Sequence, residues 1–270
     1  MSEKVSGRDW VLRSPAVGKV ERIEAYFSGQ GYEPHRHDTY AIGRTLSGVQ
    51  SFHYRGAMRH GLPGGTLVLH PDEVHDGMAG TEEGFRYRML YIEPTLIQQV
   101  LGGKPLPFVA GGLSDDPRLL RATSALLRAT ENTPDPLEED DALYDLALAL
   151  DAVAGRRVGR RAIDYPAAER ARVFIDDQRG LGITLEDLER ISGRERWSLS
   201  RDFRALFGTS PYRYATQRRL AHCRALLQAG HGLADAALEV GFFDQSHMTR
   251  QFIQGYGLSP ARWLKLLAAR

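Results

Sequence analysis

The 270-residue chain has a single cysteine, Cys223. One thiol cannot close a disulfide within the chain, so packed cores rather than covalent staples must hold the fold. Cys223 falls among Leu220, Leu226 and Leu227 in a helical stretch, where a small packing residue is the simplest reading and a reactive thiol sensor has no support. No apolar run approaches the ~20 residues of a membrane span, and the opening MSEKVSGRDW has no hydrophobic segment that could act as a secretory signal. A cytoplasmic, globular protein without membrane attachment is expected. Net charge is also nearly absent, at +1, but the balance hides a split. Residues 160–270 carry 18 Lys and Arg against 12 Asp and Glu, while residues 1–159 carry 17 against 22. A moderate basic excess in the second half suits a phosphate-binding surface. With 42% hydrophobic residues, one large or two modest domains can form real cores.

What the chain does have is a duplicated pattern. Leu233 to Trp263 reads as a helix, a tight turn at Gly241, a second helix and a short third. Ala234, Ala237, Leu238 and Val240 give the first helix an apolar side, and Phe242 can plug the gap after it. Asp244 or Gln245 opens the next helix, in which Met248 and Phe252 recur four apart. Gln245, Ser246, His247, Thr249, Arg250 and Gln251 are left to the outside, a row of hydrogen-bonding side chains suited to a DNA major groove. An ordinary solvated helix would explain that row equally well if it stood alone.

It does not stand alone. From Thr184 to Tyr214 the arrangement repeats: Leu185, Leu188 and Ile191 line one helix, Thr184 and Asp187 form a candidate capping pair, and Ser192-Gly193 makes the turn. A second helix from about Trp197 to Phe207 buries Leu199, Phe203 and Leu206. Trp197, Ser198, Ser200, Arg201 and Arg204 stay outside. Each half then closes alike, Phe203-x-x-x-Phe207-Gly208-Thr209-Ser210-Pro211-x-x-Tyr214 against Phe252-x-x-x-Tyr256-Gly257-Leu258-Ser259-Pro260-x-x-Trp263.

The run Ala237-x-x-x-Gly241-Phe242, followed by Phe252, Tyr256, Gly257, Pro260 and Trp263, resembles the signature of the AraC/XylS family of bacterial transcription regulators. The resemblance covers roughly the last hundred residues. It implies two helix-turn-helix units joined by a long helix, double-stranded DNA as partner, and no enzymatic activity. It assigns Trp197, Ser200, Arg201 and Arg204 to one groove, and Gln245, Ser246, His247 and Arg250 to the next. The sequence departs from many relatives at Glu189, where a small residue is usual.

Residues 17–92 have a different texture. Short alternating runs (Ile23-x-Ala25-x-Phe27, Tyr40 to Leu46, Val49 to Tyr54, Thr66 to Leu69, Phe85 to Ile92) are punctuated by glycine and proline, as in an all-β sandwich or barrel. With Pro34-His35-x-His37-x-x-Tyr40 and Pro63-Gly64-Gly65 through His75, this half resembles the cupin-type jelly-roll sensor of the same family. The predicted fold is α+β in two domains, an N-terminal cupin/jelly-roll β-barrel with following helices and a C-terminal all-α tandem helix-turn-helix.

His35 and His37 share a strand face, and His75 could close a three-nitrogen set. Metal-binding cupins look like this, but the positions where they usually add a carboxylate are Ala41 and Ile42; Glu73 might substitute. Hydrogen bonds to an organic ligand or to backbone are therefore favoured over a metal, and no cofactor is expected. Arg44 shares its parity with Tyr40 and Ile42, so it selects a carboxylate if that face is inside and is a surface charge if outside. His35, His37, Tyr40, Arg44, Glu73 and His75 form the candidate effector site, for a small polar molecule. The competing reading is a metal-dependent cupin enzyme with a helical interaction tail, resting on the three histidines.

Beyond Ile92 helices are expected at Pro94 to Leu101, from Pro117 to about Thr130, and at Ala142 to Val153, with the acidic Thr133–Asp141 stretch as a loop. In relatives such helices form a homodimer contact, and RNA polymerase is a further partner to expect. The expected division is 1–155 for the effector and dimerisation domain, 156–165 for a linker whose Arg156, Arg157, Arg160 and Arg161 could touch phosphate, and 166–270 for the DNA-binding domain. A joining helix from about Pro211 to Ala229, roughly 28 Å long, would hold the two recognition helices about one duplex turn apart.

Overall fold

The computed structural model describes residues 9–14, 19–128, 136–154 and 162–267. Nine strands come first: β1 (Trp10–Arg13), β2 (Glu21–Phe27), β3 (Gln30–His35), β4 (Tyr40–Gly48), β5 (Gln50–Tyr54), β6 (Ala57–Gly61), β7 (Thr66–Leu69), β8 (His75–Ala79) and β9 (Phe85–Ile92). Helix α1 (Pro94–Leu101), the short β10 (Leu113–Ser114), α2 (Pro117–Arg128) and α3 (Pro136–Ala154) follow. The strands form a six-stranded sheet ordered β1-β2-β9-β4-β7-β10 and a four-stranded sheet ordered β3-β8-β5-β6.

Period-two alternation explains how both faces of the larger sheet are used. Ile23, Ala25 and Phe27 of β2, Ala41 of β4, and Phe85, Tyr87 and Met89 of β9 pack inward with Phe52 and Tyr54 of the smaller sheet. Their neighbours Tyr40, Ile42, Leu90 and Ile92 face the other way and are buried beneath α1, α2 and α3. A fully buried ion pair pins that helical layer: Arg22 donates to Glu139 Oε1 at 2.7 Å and also to the Leu126 and Val20 carbonyls. The second Glu139 oxygen accepts from Lys19 N.

Helix α3 corrects one expectation. Residues 136–141, predicted as loop, are its first turns. Pro136 opens the helix and Glu138 and Glu139 stand in its first turn, where the helix dipole favours acidic groups.

The remaining chain is helical: α4 (Tyr165–Asp177), α5 (Leu185–Ser192), α6 (Arg196–Phe207), α7 (Pro211–Gln228), α8 (Leu233–Glu239), α9 (Gln245–Tyr256) and α10 (Pro260–Leu267). The expected linker arginines Arg156, Arg157, Arg160 and Arg161 lie outside the described residues. Thr184 and Asp187 form a reciprocal capping box at α5. Glu189, the departure noted above, accepts from Arg196 N at 2.8 Å and so ties α5 to the start of α6.

The sequence repeat now has a physical meaning. In each copy a glycine with positive φ ends the second helix of the unit, Gly208 at +76° after α6 and Gly257 at +68° after α9. Two residues later a serine hydroxyl accepts from backbone, Ser210 from Arg213 N and Ser259 from Arg262 N, and a proline fills the first helical position. Buried residues of α8 are Ala236 and Ala237, joined by Val240; Leu238 (62% exposed), Ala234 and, on α5, Leu185 (53%) face solvent instead of the cores predicted for them.

Candidate nucleic-acid interface and interdomain cavity

Helices α6 and α9 are each capped by a carboxylate at the end that faces solvent. Glu195 accepts from Trp197 N and Ser198 N at 3.0 Å, and Asp244 accepts from His247 N at 2.6 Å, which settles Asp244 rather than Gln245 as the cap. Trp197 is 69% exposed, Arg201 and Arg204 are exposed, and Ser200 is half-buried. Arg201 donates to Ser198 Oγ at 2.8 Å and Arg204 to the Ser200 carbonyl and hydroxyl, so both guanidiniums lie along their own helix. On α9, Gln245, Ser246 and Arg250 are exposed, and His247 is half-buried with its ring edge-on to Phe242. Phe243, 86% exposed at the turn before α9, was missed in the sequence because its neighbour Phe242 satisfied the pattern.

The N-terminal domain seats the opposite ends of the same two helices, α1 and its following loop under α6 and β3 with its following loop under α9. Leu106 N donates to Ala205 O and Gln98 Nε2 to Leu206 O at the end of α6, while Glu33 N donates to Gly257 O and Arg36 N to Gln254 O at the end of α9. The two repeat glycines are the points of closest approach. A Cβ on Gly208 would lie 2.6 Å from Pro71 Cβ, and one on Gly257 2.6 Å from His35 Nδ1. Docking the C-terminal ends leaves the N-terminal, hydrogen-bonding ends free. One apolar cluster runs through this junction, from Ile23 and Tyr87 of the barrel to Leu220, Val240, Phe252 and Trp263.

Between barrel and helices lies a cavity of about 160 Å³. Its aromatic walls are Tyr32 and Tyr91 from the sheets and Tyr256 and Trp263 from the helices. At one end Arg13 and Arg224 share Glu21, at 2.5 and 2.9 Å. Burial pushes the Glu21 carboxyl up, but Arg224 and then Arg13 pull harder, leaving it below the usual carboxylate range. Arg224 also sits over the Tyr256 ring. Deeper in, Tyr87 donates to the Tyr32 hydroxyl at 2.9 Å, and burial raises the Tyr32 phenol to about 12.

The histidines converge as their spacing suggested: His35, His37 and His75 are buried, and one ring nitrogen of each lies within 4.8 Å of the others. In every ring Nδ1 faces a main-chain carbonyl, Glu33 O for His35 (2.8 Å), Thr39 O for His37 (2.8 Å) and Glu73 O for His75 (2.9 Å). A carbonyl only accepts, so Nδ1 carries the proton and Nε2 the lone pair. Burial holds all three neutral, with neighbouring rings adding to it at His35 and His37: His37 falls to about 3, His75 to about 4, and His35 well below its ordinary value.

The other effector candidates do not join them. Tyr40 donates to Pro107 O on the helix-covered side of β4, and Arg44, on the same side, donates to Ser124 Oγ of α2 at 2.8 Å. That face is neither barrel interior nor open surface but the seat of α2, which rules out the proposed carboxylate selection by Arg44 inside the barrel. Glu73 directs its carboxylate toward Arg55 and offers only its carbonyl to His75. Conversely, Arg13, Glu21, Tyr32 and Arg224 carry no signal in the sequence, because β1 and β3 have no clean alternation, Glu21 stands ahead of the alternating run of β2, and α7 reads as a strut alone.

Two family models match the chain, AraC-like ligand binding domain over residues 17–147 and helix-turn-helix domain over residues 188–266. A relative from Bacillus subtilis (strain 168), the uncharacterized HTH-type transcriptional regulator YbfI, is 26% identical over 235 residues, 84% of this chain and 86% of that one. The probable transcription factor PqrA of Proteus vulgaris is 31% identical over 87 residues, 32% of this chain and 71% of its own. Among solved structures, ToxT from Vibrio cholerae matches with a TM-score of 0.66 at 12% identity, covering 96% of this chain and all of that one. Unsaturated fatty acid bound ToxT from strain SCE256 matches with a TM-score of 0.64 at 14% identity, over 100% of this chain and 99% of that one. At such identity the likeness is one of fold.

Proposed function

The chain belongs to the AraC family of transcription regulators, with an N-terminal ligand-binding domain and a C-terminal helix-turn-helix region, and from that premise we propose how it reads DNA and what controls it. Residues 166–270 would bind double-stranded DNA by laying α6 and α9 in successive major grooves. Trp197, Ser200, Arg201 and Arg204 serve the first groove, and Gln245, Ser246, His247 and Arg250 the second. The observation that carries this reading is the polarity of the two helices: each has its C-terminal end seated on the N-terminal domain and its N-terminal end, with arginines and hydroxyls along it, in solvent. Helix α7, 18 residues and so about 27 Å long, is the spacer. An electrophoretic shift series on an operator selected from random duplexes by the full-length protein tests the assignment. Arg250→Ala should weaken binding by about 1–3 kcal/mol, whereas Arg128→Ala, an exposed arginine of α2, should leave it unchanged. Equal effects would refute the placement.

Residues 1–155 would bind the effector and support a homodimer. Helix α3 exposes Leu137, Tyr144 and Leu148, apolar surface suited to a second copy. For the effector, the interdomain cavity supports a small carboxylic acid rather than a sugar. Two guanidiniums share a single carboxylate at one end, four aromatic rings line the walls, and the volume is that of a benzene-sized body. ToxT, a protein of this fold, is solved with an unsaturated fatty acid bound, a larger molecule that is also a carboxylic acid. A ligand touching both barrel and helices biases how the two are docked, which is what allosteric control of DNA spacing requires. A melting-temperature screen of aromatic acids, amino acids and sugars tests it: acids should stabilise wild type, by about 2.7 kcal/mol at a hundredfold excess over Kd, and lose the effect in Arg224→Ala.

A further inference from the structure

We propose that His35, His37 and His75 form a three-nitrogen site for a divalent first-row transition ion, of the zinc type, behind the seat of α9. One ring nitrogen from each of three buried imidazoles lies within 4.8 Å of the others, and each Nδ1 is committed to a backbone carbonyl, which leaves Nε2 as the free lone pair of every ring. Among the described residues nothing donates to His37 Nε2, which is fully buried. Mutually facing acceptors without a donor repel, and a buried acceptor left unpaired costs about 1–3 kcal/mol. A cation removes both penalties at once.

The carbonyls are the orienting partners that metal-bound histidines ordinarily have, fixing tautomer and ring plane before an ion arrives. Nitrogen donors without a carboxylate select against calcium and magnesium and in favour of zinc, iron or nickel. Nitrogens about 2.0–2.1 Å from a tetrahedral ion are about 3.4 Å apart. Closing from the present limit of 4.8 Å therefore takes about an ångström of side-chain movement. His35 and His37 also form part of the cavity wall, which gives an ion access and leaves its remaining coordination position to water or to a ligand in the cavity. The two backbone hydrogen bonds to α9 come from Glu33 and Arg36, flanking His35, so an ion joining β3 to β8 would stiffen the surface on which that recognition helix ends.

The test is zinc binding by the full-length protein. Metal-stripped chain equilibrated with Zn²⁺ and dialysed should retain one equivalent, and Co²⁺ should give the visible ligand-field spectrum of a low-coordinate nitrogen site. His37→Gln and His75→Gln should weaken binding by more than the roughly 10–100-fold that follows loss of a mere orienting partner. His53→Gln should retain it, since that exposed histidine is paired with Asp76 on the other face of the strand pair. Should the glutamine variants not fold, long-range ¹H–¹⁵N spectra of wild type decide: Zn²⁺ must move the Nε2 resonances of three histidines that are Nδ1-protonated beforehand. Wild type that retains no zinc, Nε2 resonances that stay in place, or zinc binding abolished only by His53→Gln, would each overturn the proposal.

Discussion

Arg218, on the helix that joins the two halves of the helix-turn-helix region, holds Asp38 of the barrel at 2.5 Å with one nitrogen and Glu93 at 2.8 Å with the other. Its guanidinium also lies over the Tyr214 ring. Desolvation works against the Arg218 charge, but attraction to Asp38 and Glu93 outweighs it and keeps Arg218 well above its ordinary value. One side chain thus couples the orientation of α7 to the edge of the ligand-binding domain.

Replacing Arg218 with Met should leave two carboxylates facing each other in a mostly desolvated pocket. Loss of one partner of a buried pair costs about 3–5 kcal/mol, so thermal unfolding should shift down by several degrees. Small-angle scattering should show a larger radius as the helices leave the barrel. A variant with wild-type melting and radius would mean that the apolar junction alone holds the two parts together.

The salt dependence of DNA binding separates phosphate contacts from base contacts. Arg201 and Arg204 lie along α6 and Arg250 along α9, all exposed. If one of them contacts phosphate, its alanine variant should lower the slope of log affinity against log salt by about 0.9. If it reads a base edge, affinity should fall on that operator while the slope stays fixed. Titrations at four salt concentrations distinguish the two outcomes for each residue.

Gly257→Ala should be more damaging than Gly102→Ala. Both glycines end helices with positive φ, so each substitution pays about 1–3 kcal/mol for the left-handed backbone. At Gly102 a Cβ meets nothing within 4 Å, but at Gly257 it would meet His35 and the Glu33 carbonyl. Denaturant titration of the two variants measures the excess, which is the cost of lifting α9 from its seat; equal losses would show the contact to be dispensable.

The Arg22–Glu139 pair gives a sign test. Glu139→Ala strands a fully buried guanidinium and should cost about 3–5 kcal/mol, whereas Arg22→Met combined with Glu139→Leu should be close to neutral. Urea unfolding of the single and double variants measures both. A double variant as weak as the single would mean that Arg22 matters chiefly through its bonds to the Leu126 and Val20 carbonyls.

Cys223 should be silent in the native protein. Burial raises its thiol to about 11, so at pH 8 only about one molecule in a thousand carries the reactive thiolate. A thiol reagent should label the chain in denaturant and leave it unlabelled without; rapid native labelling would reveal opening of the core around α7.

Much of this architecture could be read along the chain, because the signals were local. The αL glycine, hydroxyl cap and proline that close each repeat act within one helical turn, so their order in the sequence is already their geometry. Alternation along β2, β4 and β9 likewise marked strands that bury opposite faces. The spacing of His35 and His37 told which residues could meet, but not that every Nδ1 would find a carbonyl.

What the chain order could not contain was anything decided by two distant surfaces meeting. Whether Arg44 faced a ligand depended on α2 covering its side of β4, some eighty residues later. Leu185 and Leu238 have the right period for burial yet face solvent, because each helix is too short for more than a narrow stripe to reach its neighbours. The cavity exists only because β1, β2 and β3 stand opposite α7, α9 and α10; β1–β2 pairing puts Arg13 beside Glu21, and docking alone brings Arg224 to them. Periodicity and caps are short-range, so the chain order already held the elements and the exposed polar faces of α6 and α9. Tertiary structure chose which charges share a wall, since desolvation and Coulomb attraction depend on what is brought near in space.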